Sequence, residues 1–267
     1  MKIRVIRGLT FHKFMSNLSD IGFPVQSEQD VNQVIENLLS VVERFDCPGG
    51  AYYIYRDKSG AEMYLQSNLQ DELIGFNPHF AGKSRRTVRI TRIIERDSSE
   101  LDGGFYAWAN PHKGLGESGD YPFVFDVPDF RANTNTELPR VCEIQLTAFA
   151  SNDFRIYADE QEYKDNQESE LKYAAKSFVP SGLFTFDEAD SSIDLSTVRP
   201  ICMLSGEVKE YELKINQLTN EKFYRFWIDT FGGEADVVAD PKLITKEPQT
   251  GGIISGQFWL SGRLIES

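Results

Sequence analysis

The sequence contains little cysteine. Its three cysteines, Cys47, Cys142 and Cys202, lie far apart among 267 residues, and no C-x-x-C pair or zinc-ligand spacing occurs. An odd number of scattered thiols excludes a disulfide framework and the usual structural zinc sites. Free cysteines are commonly small buried residues, so we expect buried thiols and a reducing, cytoplasmic environment.

Long apolar runs are also missing. No stretch is long and apolar enough for the core of a signal peptide or for a membrane span, so no membrane partner is expected. Residues 1–14 carry basic side chains and no acid, and Met15 begins a stretch that is typical of a protein start. We therefore expect residues 1–14 to be an upstream extension; a short edge strand is the alternative.

Basic residues are fewer than acidic residues. Lys and Arg number 28 against 41 Asp and Glu, which gives a formal net charge of −13. Such an acidic chain disfavours nucleic acid and anionic membranes as partners. Aromatic residues are plentiful, and the 19 Phe and 11 Tyr favour β-strands.

The common nucleotide-binding and catalytic motifs are missing or lack their context. Gly114, Gly116 and Gly119 spell G-x-G-x-x-G, but a dinucleotide site needs a helix directly after these glycines. Pro122 and the alternating apolar residues after it favour a strand, so we interpret the glycines as a loop between two strands. The sequence contains no G-x-x-x-x-G-K-[ST] or G-x-S-x-G motif, and no cofactor is expected.

Histidine is scarce as well. His12, His79 and His112 have no His, Cys or acid at metal-ligand spacing on a predicted helix, so no metal site is predicted. A hydrolase would require loop acids and histidines to converge in one cleft. The candidates for this alternative function are His79, His112, Asp120 and Asp126.

A second set of acids surrounds a predicted turn near the end of the chain. Asp229 and Asp236 flank this turn, and Glu234 lies between them. Two carboxylates held close together can share acid–base work because their pKa values separate. Acids at turns are more often solvated, so the sequence favours a surface role for them.

Helical periodicity occurs near the start of the chain and again after its middle. Ser27 and Asp30 fit a capping box, and apolar residues from Val31 to Phe45 recur at helical spacing. A second helix is predicted over residues 159–177. The segments predicted to be strands are 51–57, 61–66, 86–96, 103–110, 121–127, 140–150, 203–213, 222–230, 234–240 and 251–264.

These elements predict a mainly β protein of the α+β class. An N-terminal segment, residues 1–27, precedes an α+β domain over 28–184, in which a helix accompanies an antiparallel β-sheet region. Residues 185–197 are rich in acids and serine and are interpreted as an acidic linker. Residues 198–267 form strands with internal glycines, a pattern that resembles a small OB-like β-barrel without a clear fifth strand.

A basic stretch is one candidate binding surface. Residues 83–96 contain six basic side chains, including Arg85 and Arg89, against one acid. Arginine suits phosphate or carboxylate recognition. Such charges also protect a strand edge or pair with the acidic excess elsewhere, and the net charge favours this second interpretation.

Paired aromatic residues are the other candidate surface. Phe226 and Trp227, and likewise Phe258 and Trp259 unless Gly256 introduces a bulge, are neighbours in predicted strands, so one ring of each pair is expected to face outward. The sequence favours an outward tryptophan that is covered by the first domain or by a second subunit. We therefore predict a non-catalytic, cytoplasmic binding or interaction protein of bacterial origin, which contacts another protein or a second copy of itself. Single-stranded nucleic-acid binding by the C-terminal barrel is a third hypothesis, because exposed rings stack on bases.

Overall fold

A computed structural model describes residues 4–5, 15–97, 99–113, 118–135, 137–167, 172–181 and 195–265. The protein is mainly β, with 52% of residues in strands and 14% helical, as the sequence predicts. Most of the predicted upstream extension, most of the predicted acidic linker, and Gly114 and Gly116 lie outside the described residues.

The smaller of two sheets contains the predicted hairpin near the start of the chain. Its strands are β1 (Arg4–Val5), β2 (Glu43–Cys47), β3 (Gly50–Arg56), β4 (Ala61–Asn68) and β5 (Glu72–Phe80). The order across the sheet is β1-β5-β4-β3-β2, so β2 is an edge strand. Neighbours are antiparallel except β1 and β5, which are parallel.

The larger sheet has ten strands and contains the remaining predicted strands. They are β6 (Arg86–Arg96), β7 (Ser99–Ala109), β8 (Pro122–Asp126), β9 (Arg140–Ala150), β10 (Arg155–Tyr157), β11 (Ser177–Pro180), β12 (Ile201–Ile215), β13 (Lys222–Thr230), β14 (Gly233–Ala239) and β15 (Ile253–Ile265). The order is β10-β15-β8-β7-β6-β9-β14-β13-β12-β11. Gly119 lies between β7 and β8, in a loop as predicted.

Strand β15 joins distant parts of the large sheet. It pairs with β12 over its first half and with β9 over its second half, while β14 pairs with β9 in parallel. Strands β9, β14, β13, β12 and β15 thus form a closed cycle of pairings. Because β9 belongs to the segment 28–184, strands from both sides of the predicted linker share one sheet. An OB-like barrel built from residues 198–267 alone is not confirmed.

The first predicted helix forms but is shorter than its apolar periodicity indicates. The described α-helices are α1 (Met15–Leu18), α2 (Glu28–Leu38) and α3 (Glu160–Asp165). The hydroxyl of Ser27 accepts a hydrogen bond from the Asp30 amide at 3.2 Å, and the Asp30 carboxylate accepts one from the Ser27 amide at 2.9 Å. This is the predicted capping box. The helix ends before Phe45, because residues 43–47 pair with β3 instead.

The second predicted helix also ends early. Asp159 caps α3 by accepting from the Glu162 amide at 2.8 Å, but the helix stops at Asp165. Ser177 to Pro180 are taken into the large sheet, where they pair with β12. No helix among the described residues has the length and apolar character needed to cross a membrane.

Two apolar cores lie on opposite faces of the large sheet. The main core fills its inner face and contains residues of all ten strands, such as Phe226 and Phe258. The second core lies between the outer face of the large sheet and a layer formed by α2 and the small sheet. Phe149 and Trp259 enter this second core from the large sheet. The small sheet therefore covers a face that the C-terminal strands would otherwise expose.

Candidate functional site

Most of the candidate aromatic surface is buried. Phe226 and Phe258 have no exposed area, and Trp259 is only 7% exposed. Trp227 is half-buried. Phe258 lies in the main core, and Trp259 points the other way, into the core beneath the layer of α2 and the small sheet. Trp259 therefore faces outward from the main core but is covered by an earlier part of the chain.

Trp259 joins the two layers of the protein. Its ring packs on Phe149, with 4.9 Å between centroids, and its indole N–H donates to Asp126 at 3.1 Å. Arg96 donates to the same carboxylate at 2.9 Å. A buried indole needs a hydrogen-bond acceptor, and Asp126 supplies it. The Trp259 side chain therefore makes its contacts within its own chain.

Trp227 is covered by a lysine. The ammonium of Lys83 lies 4.1 Å from the centre of the indole ring, a cation–π contact, and 2.5 Å from a carboxylate oxygen of Glu210. Glu210 also accepts from Arg225 at 2.7 Å. The most accessible of the four rings is thus part of an intramolecular charge network.

The basic stretch divides between surface and core. Arg85 is exposed, and its guanidinium donates to the carbonyl of Ser84 at 2.8 Å. Arg89 is half-buried on β6. Arg86 is buried, at 2% exposure, whereas Arg92, which strand alternation places on the same side, is exposed.

Arg86 occupies an aromatic cage inside the main core. Its guanidinium donates to the Tyr121 hydroxyl at 2.6 Å and to the Gly233 carbonyl at 3.2 Å, and it lies 4.9 Å from the ring centre of Phe178. These partners are a hydroxyl, a carbonyl and a ring rather than a carboxylate. The positive charge of Arg86 is therefore removed from water, and no counter-ion is among its observed contacts. Such an arrangement is energetically unfavourable.

The four residues that a hydrolase would require do not meet in one cleft. His112 and Asp120 do come together, with 3.1 Å between Nε2 and Oδ1, on the loop between β7 and β8. Asp126 is buried and bound by Arg96 and Trp259. His79 is buried between the sheets and has other partners. These four described residues therefore do not form the cluster of acids and histidines that a hydrolase would need.

His79 belongs to a polar network in the contact layer between the sheets. Its Nδ1 lies 2.8 Å from the Ser261 hydroxyl, and its Nε2 lies 2.9 Å from the side-chain oxygen of Gln145. The amide nitrogen of Gln145 donates to Thr147 and Asp236, so the amide oxygen is the acceptor. His79 consequently carries its proton on Nε2, and Ser261 donates to Nδ1.

The Ser261–His79 contact has the spacing of a nucleophile and its base, but it is sealed. Ser261 is 1% exposed and His79 is fully buried. Burial, with the positive charge of Arg263 as a second cause, lowers the pKa of His79 well below its usual value. A neutral imidazole closed to solvent acts here as a hydrogen-bonded bridge between the sheets.

The acids around the β13–β14 turn have separate partners. Asp236 is fully buried and accepts from Arg225 at 2.7 Å. Asp229 forms an ion pair with Lys176 at 2.7 Å, and Glu234 accepts from the Arg85 amide at 3.2 Å. These carboxylates do not form a catalytic pair.

A pocket of about 590 Å³ lies beside the first turn after α1, and we call it the turn pocket. Three segments line it: residues within 19–26, the end of the loop between β12 and β13 (220–222), and the turn after β14 (240–242). The lining combines apolar Val25 and Pro241 with polar Ser19 and Gln26. The site is thus assembled from parts of the chain far apart in sequence.

The wall of the turn pocket is fixed by a tight backbone contact. Gly22 has φ +79°, and a Cβ at this position would lie 2.7 Å from the Cβ of Asn216. Asn216 donates to the Ile21 carbonyl at 3.0 Å, and Thr219 donates to the Gly22 carbonyl at 2.5 Å. The β12–β13 loop therefore holds the turn in one conformation.

A buried acid lies next to the turn pocket. Asp20 is 1% exposed, and its Oδ1 accepts from the Asp240 amide at 2.7 Å. Within the described residues its Oδ2 has no hydrogen-bond partner. Burial raises the pKa of Asp20 well above its usual value, and the charge of Asp240 adds to this effect. Asp20 is sealed from the pocket, so it holds the pocket's wall without reaching its contents.

Sequence reasoning missed the turn pocket. Gly22 and Pro24 within G-F-P are a recognisable turn signal. Nothing local indicates that this turn contacts Asn216 and Asp240. Similarity to known proteins does not locate the site either, because no protein-family model, curated protein or solved structure matches this chain.

Proposed function

We propose that this chain is a non-catalytic binding module and that its binding site is the turn pocket. The observation that carries the proposal is a cavity of about 590 Å³ with a rigid wall and a mixed lining. Ligand sites usually have volumes of roughly 300–1,000 Å³ and combine apolar surface with a few polar groups. The occupant is a small ligand or a side chain of a partner protein.

The fate of the reactive side chains supports binding over catalysis. The Ser261–His79 pair is sealed, and Asp236 is neutralised by Arg225. Asp20, beside the pocket, has an unusual pKa but no access to it. These three groups are thus committed to internal contacts. The pocket itself is lined by charges of both signs, namely Glu221, Asp240, Lys222 and Lys242, and the Asp240 carboxylate accepts from the Lys242 amide at 2.8 Å.

We also propose that the cycle of β9, β14, β13, β12 and β15 is an OB-like barrel, with β9 as the fifth strand. OB-folds often bind single-stranded nucleic acid on one strand face. On the outer face of β13 and β14, Asp236 is covered by the segment preceding β6, whose Ser84 amide donates to it at 2.8 Å. This burial disfavours the nucleic-acid hypothesis, which predicts salt-dependent oligonucleotide binding.

A reducing compartment fits the thiols. Cys47, Cys142 and Cys202 are all free, and burial raises the pKa of each. Protonated thiols react slowly with oxidants. We therefore propose the cytoplasm as the site of action.

Amide NMR spectra of the full chain test the binding site. A fragment set of carboxylates, phosphates, amines and neutral aromatics is expected to shift the amide signals of Gly22, Asn220 and Lys242. Gln26→Trp, at the exposed rim of the pocket, should remove these shifts, whereas Gln33→Trp, on the exposed face of α2, should leave them unchanged. Shifts that cluster elsewhere, or no shifts with any fragment, would refute the assignment.

A further inference from the structure

Within the described part of the chain, no strand pairs with the outer edge of β2 in the small sheet. Strand β2 is the last strand in the order β1-β5-β4-β3-β2, and four of its five residues are exposed. Its sequence, Glu-Arg-Phe-Asp-Cys, contains no proline, glycine or lysine. Charged side chains on an edge usually repel another strand, but the three charged residues of β2 include both signs, so their effect depends on the charges that lie opposite them.

The charges of β2 are complementary to a second β2 strand in one register. When two copies pair in antiparallel fashion about Phe45, each Arg44 lies opposite Asp46 of the second copy, and the two Phe45 rings face each other. Opposite charges and aromatic pairs at facing positions stabilise a sheet. The pairing is symmetric, so the same contacts occur twice.

Other registers lose this complementarity. A shift of one residue places Glu43 opposite Asp46 or leaves Arg44 opposite Cys47. A shift of two residues places Arg44 opposite Arg44, or Asp46 opposite Asp46. Parallel pairing in register places every charge opposite itself. The sequence of β2 therefore selects the antiparallel register centred on Phe45.

Apolar residues near this edge are exposed. Phe45 and Val41 are each 49% exposed, and Leu69 is 76% exposed. The turn that carries Leu69 reaches β2 through Asp71, which accepts from Arg44 at 2.7 Å. Pairing would cover part of this apolar area, which adds to the backbone hydrogen bonds.

Arg44 is already held in a defined position. Its guanidinium donates to the Tyr53 hydroxyl at 2.6 Å and to its own chain's Asp46 at 2.8 Å. An exposed ion pair of this kind contributes little to the stability of one chain. A preorganised arginine loses less side-chain entropy when a further carboxylate arrives from another chain.

We propose that β2 is a self-association surface and that its partner is a second copy of this chain, added antiparallel about Phe45. The two small sheets then become one continuous sheet across a twofold axis. The dimer is weak, because five residues on each side bury less area than a standard interface. The inference is independent of the turn pocket, which lies on other segments of the chain.

Sedimentation equilibrium of the full chain tests this surface. Wild type is expected to show a monomer–dimer equilibrium. Asp46→Arg places Arg44 opposite an arginine and should abolish the dimer. The exchange Arg44→Asp with Asp46→Arg restores opposite charges and should restore it. A monomeric wild type, a dimer that survives Asp46→Arg, or a folded exchange variant that stays monomeric would each overturn the proposal.

A second pair of variants covers the case in which the exchange disturbs folding. Phe45→Asp places two like charges at the centre of the pairing and should abolish the dimer while leaving the contacts of Arg44 in place. Leu213→Asp, at an exposed position on β12 with 43% exposure, is the matched control and should dimerise as wild type does. Equal dimerisation of both variants would contradict the assignment.

Discussion

The hydroxyl of Ser261 lies 2.8 Å from Nδ1 of His79, although 182 positions separate the two residues. The contact connects β15 of the large sheet to β5 of the small sheet. Since both groups are buried, their hydrogen bonds replace those to water and depend on a neutral imidazole.

His79→Gln should change how stability depends on pH. The pKa of native His79 is lowered, so the unfolded chain binds a proton near the ordinary value of about 6.5 while the native state does not. Wild-type stability therefore falls as pH drops from this value towards the lowered native pKa, and the contribution is complete above it.

Urea unfolding at about pH 5 and about pH 8 measures this effect. Between these two pH values, wild type should lose more stability on acidification than His79→Gln does. His112→Gln, on the exposed loop, is the matched control. Parallel pH curves for wild type and His79→Gln would show that the buried imidazole is not the cause.

Asp20→Asn should stabilise the protein at high pH. The pKa of Asp20 is raised mainly by burial, so the native state keeps a proton that the unfolded chain releases. Stability from this group is present at low pH and is lost as pH rises through the raised pKa. Asparagine mimics the protonated acid, so the advantage of the variant in urea unfolding should grow with pH. An advantage that shrinks with pH would contradict this account.

Arg86→Ala and Arg86→Met should differ strongly in stability. Alanine leaves a cavity beside Phe178 and removes the hydrogen bonds to Tyr121 and Gly233, at a cost of about 3–5 kcal/mol. Methionine fills the cage and removes a desolvated charge, so its loss should stay within about 1.5 kcal/mol. Urea unfolding compares the two free energies. Equal losses would mean that the charge itself stabilises the core.

Gly22→Ala should cost more stability than Gly251→Ala. Both glycines have positive φ, +79° and +84°, so both alanines are strained. At Gly22 the new methyl also meets Asn216, whereas at Gly251 no atom lies within 4 Å. We expect losses of about 1 kcal/mol at Gly251 and about 2–4 kcal/mol at Gly22, measured by thermal unfolding. Similar losses of stability at the two positions would show that the turn at Gly22 accommodates the methyl group by a small shift.

Local patterns predicted most elements of the fold but not their partners. The capping box at Ser27 and the strand periodicities depend on neighbouring residues, and the structure confirms them. Phe45 fits the spacing of a helix, yet strand pairing with β3 decides its conformation. The parallel pairing of β14 with β9 has no local signature.

The candidate site depends on long-range contacts, which explains why sequence reasoning did not find it. Alternation along β15 indicates that Trp259 and Phe258 face opposite ways, but it does not identify α2 and the small sheet as the layer that covers Trp259. A wall of the turn pocket depends on the contact between Asp20 and Asp240, which are 220 positions apart. The contact between these two residues is determined by tertiary packing alone.

Strand β9 has a consequence for the order of folding. It is complete by residue 150, yet two of its neighbours, β14 and β15, span residues 233–265 and are synthesised much later. Contacts of such high sequence separation are slow to form because a long loop must first close. A ribosome-bound chain that ends before residue 233 leaves one side of β9 unpaired, so we expect this sheet to be completed only after residues 233–265 have been synthesised.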